Sequence, residues 1–226
     1  MSQRDNTTWT LFFDLDGTLT DPREGITRCI QYGLEQIGRP FPPQEELVKY
    51  IGPPLRWTFP DLLGTDEAEL VDAAIRHYRH RYADVGLFEN VVYEGIPELL
   101  SALHDDGFTL YVVTAKPTIY ADRIVRHFGL DPYFEATFGP ELNGRFDDKT
   151  ELVAHILAKR QLVPKRTVMI GDRASDIAAG QANGTHTLAV TYGFGAVQEL
   201  IGAKADRLCH DPADLHSTIL RTFPHA

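Results

Sequence analysis

Two carboxylates follow an apolar, strand-forming segment in the stretch Phe12-Phe13-Asp14-Leu15-Asp16-Gly17-Thr18-Leu19-Thr20-Asp21. The apolar half is short enough for a buried parallel strand, and Gly17 predicts a sharp turn directly after the carboxylates. Asp14 and Asp16 are separated by one residue, so on an extended backbone their side chains point to the same face. Two like charges this close repel, so one must be protonated or both must face a cation. The structural alternative is that both are solvated carboxylates of a turn. That alternative poorly explains why the motif Asp-x-Asp-Gly-Thr directly follows an apolar strand, so we expect a functional site.

The composition is that of an ordinary globular protein, and it narrows the classes of function. The chain has 226 residues, enough for one large domain or two small ones, with 43% apolar and 24% charged residues. Its 22 Lys and Arg against 32 Asp and Glu give a net charge of −10. This charge argues against broad binding to nucleic acids or anionic membranes, which requires a basic surface. A small anionic substrate remains compatible, because a local cationic pocket can oppose the overall field.

No segment predicts export or membrane insertion. Residues 1–10 are polar and lack the apolar region of a secretory signal. No apolar run approaches the roughly 18 residues that a membrane helix needs. Cys29 and Cys209 form neither a Cys-x-x-Cys motif nor a disulfide framework, so both are expected to be small core residues. We therefore expect a cytoplasmic protein.

Helical patterns alone occupy the region from residue 22 to about residue 88. Asp21 is expected to cap the first helix, on which Ile26, Ile30 and Leu34 recur at helical spacing. Pro60 is expected to interrupt a later, short apolar piece. These residues are predicted to form a separate small helical bundle.

Strands and helices alternate after about residue 93. Strand patterns occur at residues 108–113, 167–170 and 186–190, with a weaker one at 136–138. This alternation predicts an α/β fold, a Rossmann-like parallel sheet with helices on both faces. Because the first strand precedes the helical region, that region is an insertion. Residues 1–20 and 89–226 are predicted to form the core domain, and residues 21–88 the inserted all-helical domain.

Polar residues follow three of the predicted strands, namely Asp14, Thr114 and Asp172. Ligands of open α/β sheets bind beyond the carboxyl ends of the strands, so we expect these side chains to converge there. Asp176 follows Asp172 in a loop that enters a helix and offers a further acidic oxygen. The structural alternatives are a strand-terminal or helix-capping role for Thr114 and helix capping for Asp176.

Oxygen ligands alone favour a hard cation. Mg²⁺ typically takes one or two carboxylates together with waters and a substrate phosphate, which suits this set of aspartates. His77 and His80 lie one helical turn apart without an acidic partner at a spacing typical of zinc sites. They are expected to be surface residues of the helical domain.

The motifs Asp14-Leu15-Asp16-Gly17-Thr18, Thr114 and Gly171-Asp172 with Asp176, in this order, resemble those of the haloacid dehalogenase superfamily. Most members of that superfamily are magnesium-dependent phosphotransferases. Lys149 fits the position of a lysine that the superfamily has between the threonine and the second acidic motif, whereas Lys159 and Lys165 fit worse. A solvated surface lysine is the alternative for Lys149. The inserted helices resemble the helical cap of the phosphoglycolate phosphatase-like branch.

The resemblance implies a role for each of these residues. Asp14 is implied as the nucleophile that forms an aspartyl-phosphate, and Asp16 as the acid that protonates the leaving oxygen and then accepts a proton from water. Thr114 and Lys149 are implied to hold the oxygens of the transferring phosphoryl group. The implied Mg²⁺ ligands are Asp14, Asp172, the backbone carbonyl of Asp16 and, in support, Asp176.

The stretch Gly52-Pro53-Pro54-Leu55, followed by Arg56, resembles the cap loop that reaches the substrate in related phosphatases. Gly52 and Arg56 are therefore candidate substrate-binding residues, and a rigid turn between two short helices is the alternative. Arg23, Arg28 and Lys116 are further candidates for binding an anionic substrate, with solvated charges as their alternative.

The expected function is a Mg²⁺-dependent phosphatase acting on a small phosphorylated metabolite, either phosphoglycolate-like or a nucleoside monophosphate. A sugar phosphomutase of the same fold is the first alternative, and a non-catalytic binding module is the second. Dehalogenase chemistry needs neither Asp16 nor a metal, so it fits this sequence less well. We expect no nucleic-acid or membrane partner, and a monomer or homodimer.

Overall fold

A parallel sheet of six strands carries the site, and a computed structural model describes it within residues 8–224. Residues 1–7, which include most of the segment from which the absence of a signal was predicted, lie outside the described residues, as do residues 225–226. The strands in chain order are β1 (Thr10–Phe13), β2 (Thr20–Asp21), β3 (Val91–Val92), β4 (Thr109–Val113), β5 (Ala136–Phe138), β6 (Thr167–Gly171), β7 (His186–Val190) and β8 (Arg207–Cys209).

Ten α-helices lie between residues 8 and 224. They are α1 (Arg23–Gln36), α2 (Gln44–Leu47), α3 (Leu55–Leu63), α4 (Ala68–Arg81), α5 (Ile96–Asp105), α6 (Thr118–His127), α7 (Lys149–Arg160), α8 (Ala174–Ala182), α9 (Val197–Ala203) and α10 (Pro212–Thr222). Short 3₁₀ turns occur at Val48–Tyr50, Asp131–Tyr133 and Pro164–Arg166, and a π-helical segment, Tyr82–Gly86, follows α4. In this part of the chain no helix is both long and apolar enough to cross a membrane.

The strand β1 lies in the middle of the sheet, whose order is β5-β4-β1-β6-β7-β8. Phe13 is opposite Val112 of β4 on one side and Ile170 of β6 on the other, and both pairings are parallel. Leu11, Phe12 and Phe13 are fully buried, as expected for a strand that is covered on both faces. The predicted α/β fold with a parallel sheet is therefore confirmed.

The order of the strands reverses at β1. The chain continues through β4 and β5 on one side of β1, and through β6, β7 and β8 on the other. The connections on the two sides diverge at the carboxyl end of β1, and in open α/β sheets this is where ligands bind. One core cluster beneath this point contains Phe12, Tyr111 and Met169 of the sheet, packed with Leu152 and Ile156 of α7.

The chain divides into two compact units. One ends at Thr20 and resumes at Val92, and the other is Asp21–Val91, so the division lies slightly after the predicted boundary at residues 88 and 89. The chain passes from one unit to the other through β2 and β3, which pair with each other.

The unit Asp21–Val91 is helical, with α1 packed against α4. The prediction that Asp21 is the N-cap of α1 is wrong, because Pro22 occupies that position; Asp21 Oδ1 instead accepts a hydrogen bond from Arg23 N, at the first residue of the helix, at 2.9 Å. The predicted interruption at Pro60 is wrong, because Pro60 lies inside α3. A proline removes the hydrogen bond from its own nitrogen to the carbonyl of the residue four positions earlier. Here that carbonyl belongs to Arg56, an exposed residue in the first turn of α3, and the helix is held by the buried Thr58 and Phe59.

Candidate active site

Asp14 is the first residue after β1, and its backbone extends the pairing with β6 by one hydrogen bond, from Asp14 N to Ile170 O at 2.8 Å. The chain then turns tightly, since Leu15 O accepts hydrogen bonds from Leu19 N and Thr20 N. Gly17 lies in this turn with φ of 84°, a conformation that side chains other than that of glycine rarely adopt. A Cβ atom there would also overlap the carboxylate of Asp172. The glycine therefore permits both the turn and the close approach of a second acidic residue.

Three buried carboxylates meet at this turn. One oxygen from each of Asp14, Asp172 and Asp176 lies within 4.8 Å of the others, and the three residues are 6%, 0% and 1% exposed. Asp172 follows β6, and Asp176 lies in the first turn of α8. The strand order thus brings together the acidic residues of the two predicted motifs.

Lys149 lies among these carboxylates. Its Nζ donates to Asp14 Oδ1 at 2.9 Å and to Asp176 Oδ1, and the residue is 8% exposed. Burial disfavours the charged ammonium, but Asp14 and Asp176 outweigh this effect and raise the pKa of Lys149 above its ordinary value. Lys149 begins α7, where Asp148 Oδ1 caps the helix by accepting from Thr150 N. The alternative of a solvated surface lysine is therefore wrong.

Asp176 has both of the roles that were considered for it. Its Oδ2 accepts a hydrogen bond from Arg173 N at 3.0 Å and so caps α8, while its Oδ1 contacts Lys149. Burial raises the pKa of Asp176 to about 6, with Lys149 acting against this rise and Asp14 adding to it. Helix capping and membership of the acidic cluster are compatible because a carboxylate has two oxygens.

The two oxygens of Asp172 differ in their hydrogen bonding. Oδ2 accepts a hydrogen bond from Phe194 N at 2.7 Å, whereas the buried Oδ1 has no hydrogen-bond partner among the described residues. Burial, followed by the charges of Asp176 and Asp14, raises the pKa of Asp172 to about 8. A buried carboxylate oxygen without a donor, in a cluster made only of oxygen ligands, fits a hard divalent cation.

The loop between β7 and α9 holds Asp172. A Cβ on Gly195 would overlap the backbone oxygen of Asp172, so this loop packs directly against it. Tyr192 Oη donates to Thr18 O at 3.0 Å, which ties the same loop to the turn after Asp14. This role of the loop was not predicted. The pattern Gly193-Phe194-Gly195 after a strand was the available signal.

Asp16 lies outside the group of three carboxylates and contacts a different lysine. Asp16 Oδ2 is 2.6 Å from Lys116 Nζ, and the two side chains are 12% and 6% exposed. Burial raises the pKa of Asp16, although Lys116 acts against the rise. The sequence had marked Lys116 only as one of several candidates for binding an anion.

Thr114 is buried and follows β4, the neighbour of β1. Its Oγ1 accepts a hydrogen bond from Lys116 N at 3.2 Å, and its backbone nitrogen donates to Phe138 O at 2.9 Å. The threonine therefore connects β4, the end of β5 and the segment that carries Lys116. Its predicted contact with a phosphoryl group stays a prediction.

The remaining candidates lie in the helical unit. Gly52 has φ of 109°, and Arg56 is exposed in the first turn of α3. Their role in substrate binding stays a prediction. Arg23 forms an ion pair with Asp21, and Arg28 forms ion pairs with Glu24 and Glu89.

A family model described as "Haloacid dehalogenase-like hydrolase" matches residues 11–190. The chain belongs to this family. The resemblance inferred from the four motifs is thereby confirmed. The prediction that the chain is an enzyme that hydrolyses phosphoric monoesters is confirmed as well.

Among the relatives of this haloacid dehalogenase-like hydrolase, a protein named 5'-nucleotidase from Pseudomonas aeruginosa is 45% identical over 209 residues, which is 92% of this chain and 94% of the relative. Tyrosine-protein kinase PtkA from Mycobacterium tuberculosis is 37% identical over 185 residues, or 82% of this chain, which spans 62% of that relative. A crystal structure described as "a predicted phosphatase" from Clostridium acetobutylicum superposes with a TM-score of 0.89 at 38% identity, covering 95% of this chain and 99% of the other.

Proposed function

We propose that this hydrolase is a Mg²⁺-dependent phosphatase that transfers the phosphoryl group of a small phosphomonoester to Asp14 and then to water. The observation that carries the proposal is the contact of the buried Asp14 carboxylate with Lys149, beside two further buried carboxylates. A nucleophile in this position has a cation within reach of the group that it would receive. Because three carboxylates are buried together and Lys149 carries a single positive charge, a second cation would stabilise the cluster.

The residues that would hold Mg²⁺ are Asp14, Asp172 and Asp176, together with the backbone carbonyl of Asp16. The buried Oδ1 of Asp172, for which the described residues offer no hydrogen-bond donor, supports this assignment. A bound Mg²⁺ offsets the repulsion between an anionic phosphate and an anionic nucleophile, and orients the two for in-line attack.

The chemistry of the chain's own residues divides between two steps. In the first step, an Asp14 oxygen forms a bond to phosphorus while the ester bond to the leaving oxygen breaks, and Asp16 gives that oxygen a proton. In the second step, the oxygen of water forms a bond to phosphorus while the bond from phosphorus to the Asp14 oxygen breaks, and the water gives a proton to Asp16. Inorganic phosphate leaves and the Asp14 carboxylate is regenerated. Thr114 and Lys149 would bind the phosphoryl oxygens and stabilise the charge that develops there.

The helical unit would act as a cap. Its movement about the linkers near residues 19–22 and 87–94 would close the site and exclude water before transfer. Gly52 and Arg56 are the cap residues that we expect to contact the substrate. The chain would act in the cytoplasm as a monomer or homodimer, and size-exclusion chromatography with light scattering distinguishes these two states.

A nucleoside 5'-monophosphate is the favoured substrate over phosphoglycolate. The support for this choice is the relative named 5'-nucleotidase, whose identity of 45% extends over 94% of its length. Because the match covers 92% of this chain, it includes both the core and inserted helices, and the inserted helices are where we expect the substrate to be selected.

The test is inorganic phosphate release from a panel of nucleoside 5'-monophosphates, phosphoglycolate, sugar phosphates and p-nitrophenyl phosphate, with Mg²⁺ and with EDTA. We expect release that requires Mg²⁺ and that is lost in Asp14→Asn. The matched control is Asp105→Asn, since the Asp105 side chain is 79% exposed on α5. Full activity in Asp14→Asn contradicts the mechanism. A requirement for a sugar bisphosphate activator, with isomerised sugar phosphate as the product, favours a phosphomutase.

A further inference from the structure

Lys116 is a buried cation to which the proposed mechanism of phosphoryl transfer assigns no role. The residue is 8% exposed, and its Nζ lies 2.6 Å from Asp16 Oδ2. The contact joins the residue two positions after Thr114 to the residue two positions after Asp14. It therefore links the ends of two neighbouring strands, β1 and β4, through their side chains.

The two oxygens of Asp16 have different surroundings. Oδ2 contacts Lys116, whereas Oδ1 is buried and has no hydrogen-bond partner in the part of the chain that the structure describes. Proton exchange with a leaving oxygen or with water requires one free carboxyl oxygen at a defined place. The contact with Lys116 leaves Oδ1 as that oxygen.

The segment that carries Lys116 is fixed on both sides. Before it, Thr114 N donates to Phe138 O at 2.9 Å. After it, Thr118 Oγ1 both donates to Gly139 O and accepts from Gly139 N, each at 2.9 Å. A Cβ on Gly139 would overlap the backbone oxygen of Lys116, so the segment lies directly against the end of β5. Lys116 thus extends from a backbone whose position is set by the sheet, and a side chain anchored in this way can fix its partner.

We propose that Lys116 is a positioning residue for Asp16: by holding Oδ2, it presents Oδ1 as the atom that exchanges the proton with the leaving oxygen and then with water. The inference rests on the proposed function, in which Asp16 is the general acid and base. It adds a residue to the reaction that acts through Asp16 and not on the phosphoryl group.

The test compares two substrates of nearly the same size, phenyl phosphate and p-nitrophenyl phosphate. Phenolate is much more basic than p-nitrophenolate, so only phenyl phosphate depends strongly on a proton donor as the ester bond breaks. The quantity to measure is kcat/KM, because it reports the steps up to release of the phenol. Since misplacement of a general acid costs rate steeply, we expect Lys116→Met to lose about 10- to 100-fold with phenyl phosphate and less than about threefold with p-nitrophenyl phosphate.

A double-mutant cycle with Asp16→Asn tests whether Lys116 acts through Asp16. If it does, Lys116→Met adds no further loss in the Asp16→Asn background, because the group that it positions is already absent. Equal losses with both substrates, or additive losses in the double variant, overturn the proposal. A rise in KM with unchanged kcat also overturns it, since that result assigns Lys116 to substrate binding.

Two further variants keep the outcome decisive if Lys116→Met folds poorly by circular dichroism. Lys116→Arg retains a cation and is expected to recover most of the phenyl phosphate activity, whereas Lys116→Gln retains only a neutral donor and is expected to recover less. Equal activity of these two variants contradicts the inference. Lys165→Met, at an exposed lysine, is the matched control and should match the wild type. If Asp14→Asn remains active the proposed function fails, whereas the inference alone fails if that variant is inactive and Lys116→Met shows no dependence on the leaving group.

Discussion

Lys149 Nζ lies 2.9 Å from Asp14 Oδ1, although the two residues are 135 positions apart in the chain. The same ammonium contacts Asp176 Oδ1, so one cation is shared by the end of β1 and the first turn of α8. Both carboxylates are buried, and neither could remain charged there at low cost without a counter-charge. Lys149 is therefore a structural part of the acidic cluster as well as a candidate ligand for the phosphoryl group.

We expect Lys149→Met to lower the free energy of unfolding at pH 8. Removal of one partner from a buried ion pair typically costs about 3–5 kcal/mol, because the remaining charges stay buried. Urea denaturation in EDTA measures the loss, with Lys165→Met as the exposed control. Addition of Mg²⁺ should restore part of the stability, since the same carboxylates would take a divalent cation. An unchanged free energy of unfolding in EDTA contradicts the counter-charge role.

We expect Gly195→Ala to weaken Mg²⁺ binding without removing any proposed ligand. The new Cβ would overlap the backbone oxygen of Asp172, and the loop must shift away together with Phe194 N, which donates to Asp172 Oδ2 at 2.7 Å. Loss of such a supporting hydrogen bond typically costs about 10- to 100-fold in metal affinity. Isothermal titration calorimetry measures the affinity directly. Gly202→Ala is the control, because a Cβ there meets nothing within 4 Å, and equal affinities in the two variants would exclude a role for the loop.

The central strand and the acidic residues were predictable because they follow from local patterns. The apolar run before Asp14 indicates a strand buried on both faces, and strand ends in a parallel sheet converge on one edge. The structure places Asp14, Asp172 and Asp176 together as that reasoning expects. The role of Lys149 could be predicted only from the order of motifs in a family. No local feature of Asp147-Asp148-Lys149 reveals that the lysine side chain reaches the end of β1.

Lys116 and the loop around Gly195 were not predictable, and the reason is geometric. The contact between Lys116 and Asp16 depends on how the segment after β4 is fixed against Gly139, and Gly139 belongs to another strand connection. The overlap that excludes a side chain at Gly195 depends on the position of Asp172 after β6. Contacts of this kind are set by how segments that are distant in the chain pack against one another at the ends of paired strands. The error at Pro60 has a different origin, since the restriction that proline imposes is a bias and tertiary packing overcomes it in α3.

We expect Thr118→Val to impair Asp16 in the same way as removal of Lys116, but less severely. Valine keeps the shape of threonine and removes the hydroxyl that both donates to Gly139 O and accepts from Gly139 N. The segment carrying Lys116 then has more freedom, so kcat/KM should fall several-fold, by about 3- to 10-fold, for phenyl phosphate and less for p-nitrophenyl phosphate. Thr222→Val, at an exposed threonine near the end of α10, should leave both values unchanged. Equal losses with the two substrates in Thr118→Val would show that the hydrogen bonds between Thr118 and Gly139 do not act through Asp16.

The helical unit has its own partly buried ion pair, on which we base a prediction of pH dependence. Arg81 donates to both oxygens of Glu89, at 2.7 and 3.0 Å, and the side chains are 20% and 17% exposed. The hydrogen bonds from Arg81 lower the pKa of Glu89 against the opposing effect of burial, and Arg28 lowers it further. A carboxyl whose pKa is lower in the folded state stabilises the fold above the unfolded-state pKa, and this stabilisation is lost as the pH falls through the folded-state pKa.

We therefore expect Glu89→Gln to cost about 1–3 kcal/mol at pH 7, because Arg81 loses its charged acceptor. The difference from the wild type should stay constant down to about the unfolded-state pKa of a glutamate, about 4.3, and shrink at lower pH as the wild-type carboxylate becomes protonated. Urea denaturation of both proteins between pH 3 and 8 measures this difference. Glu35→Gln, at an exposed position of α1 in the same unit, should show no such dependence. A difference that grew toward acid pH would mean that the pKa of Glu89 is raised in the folded state and that Arg81 does not control it.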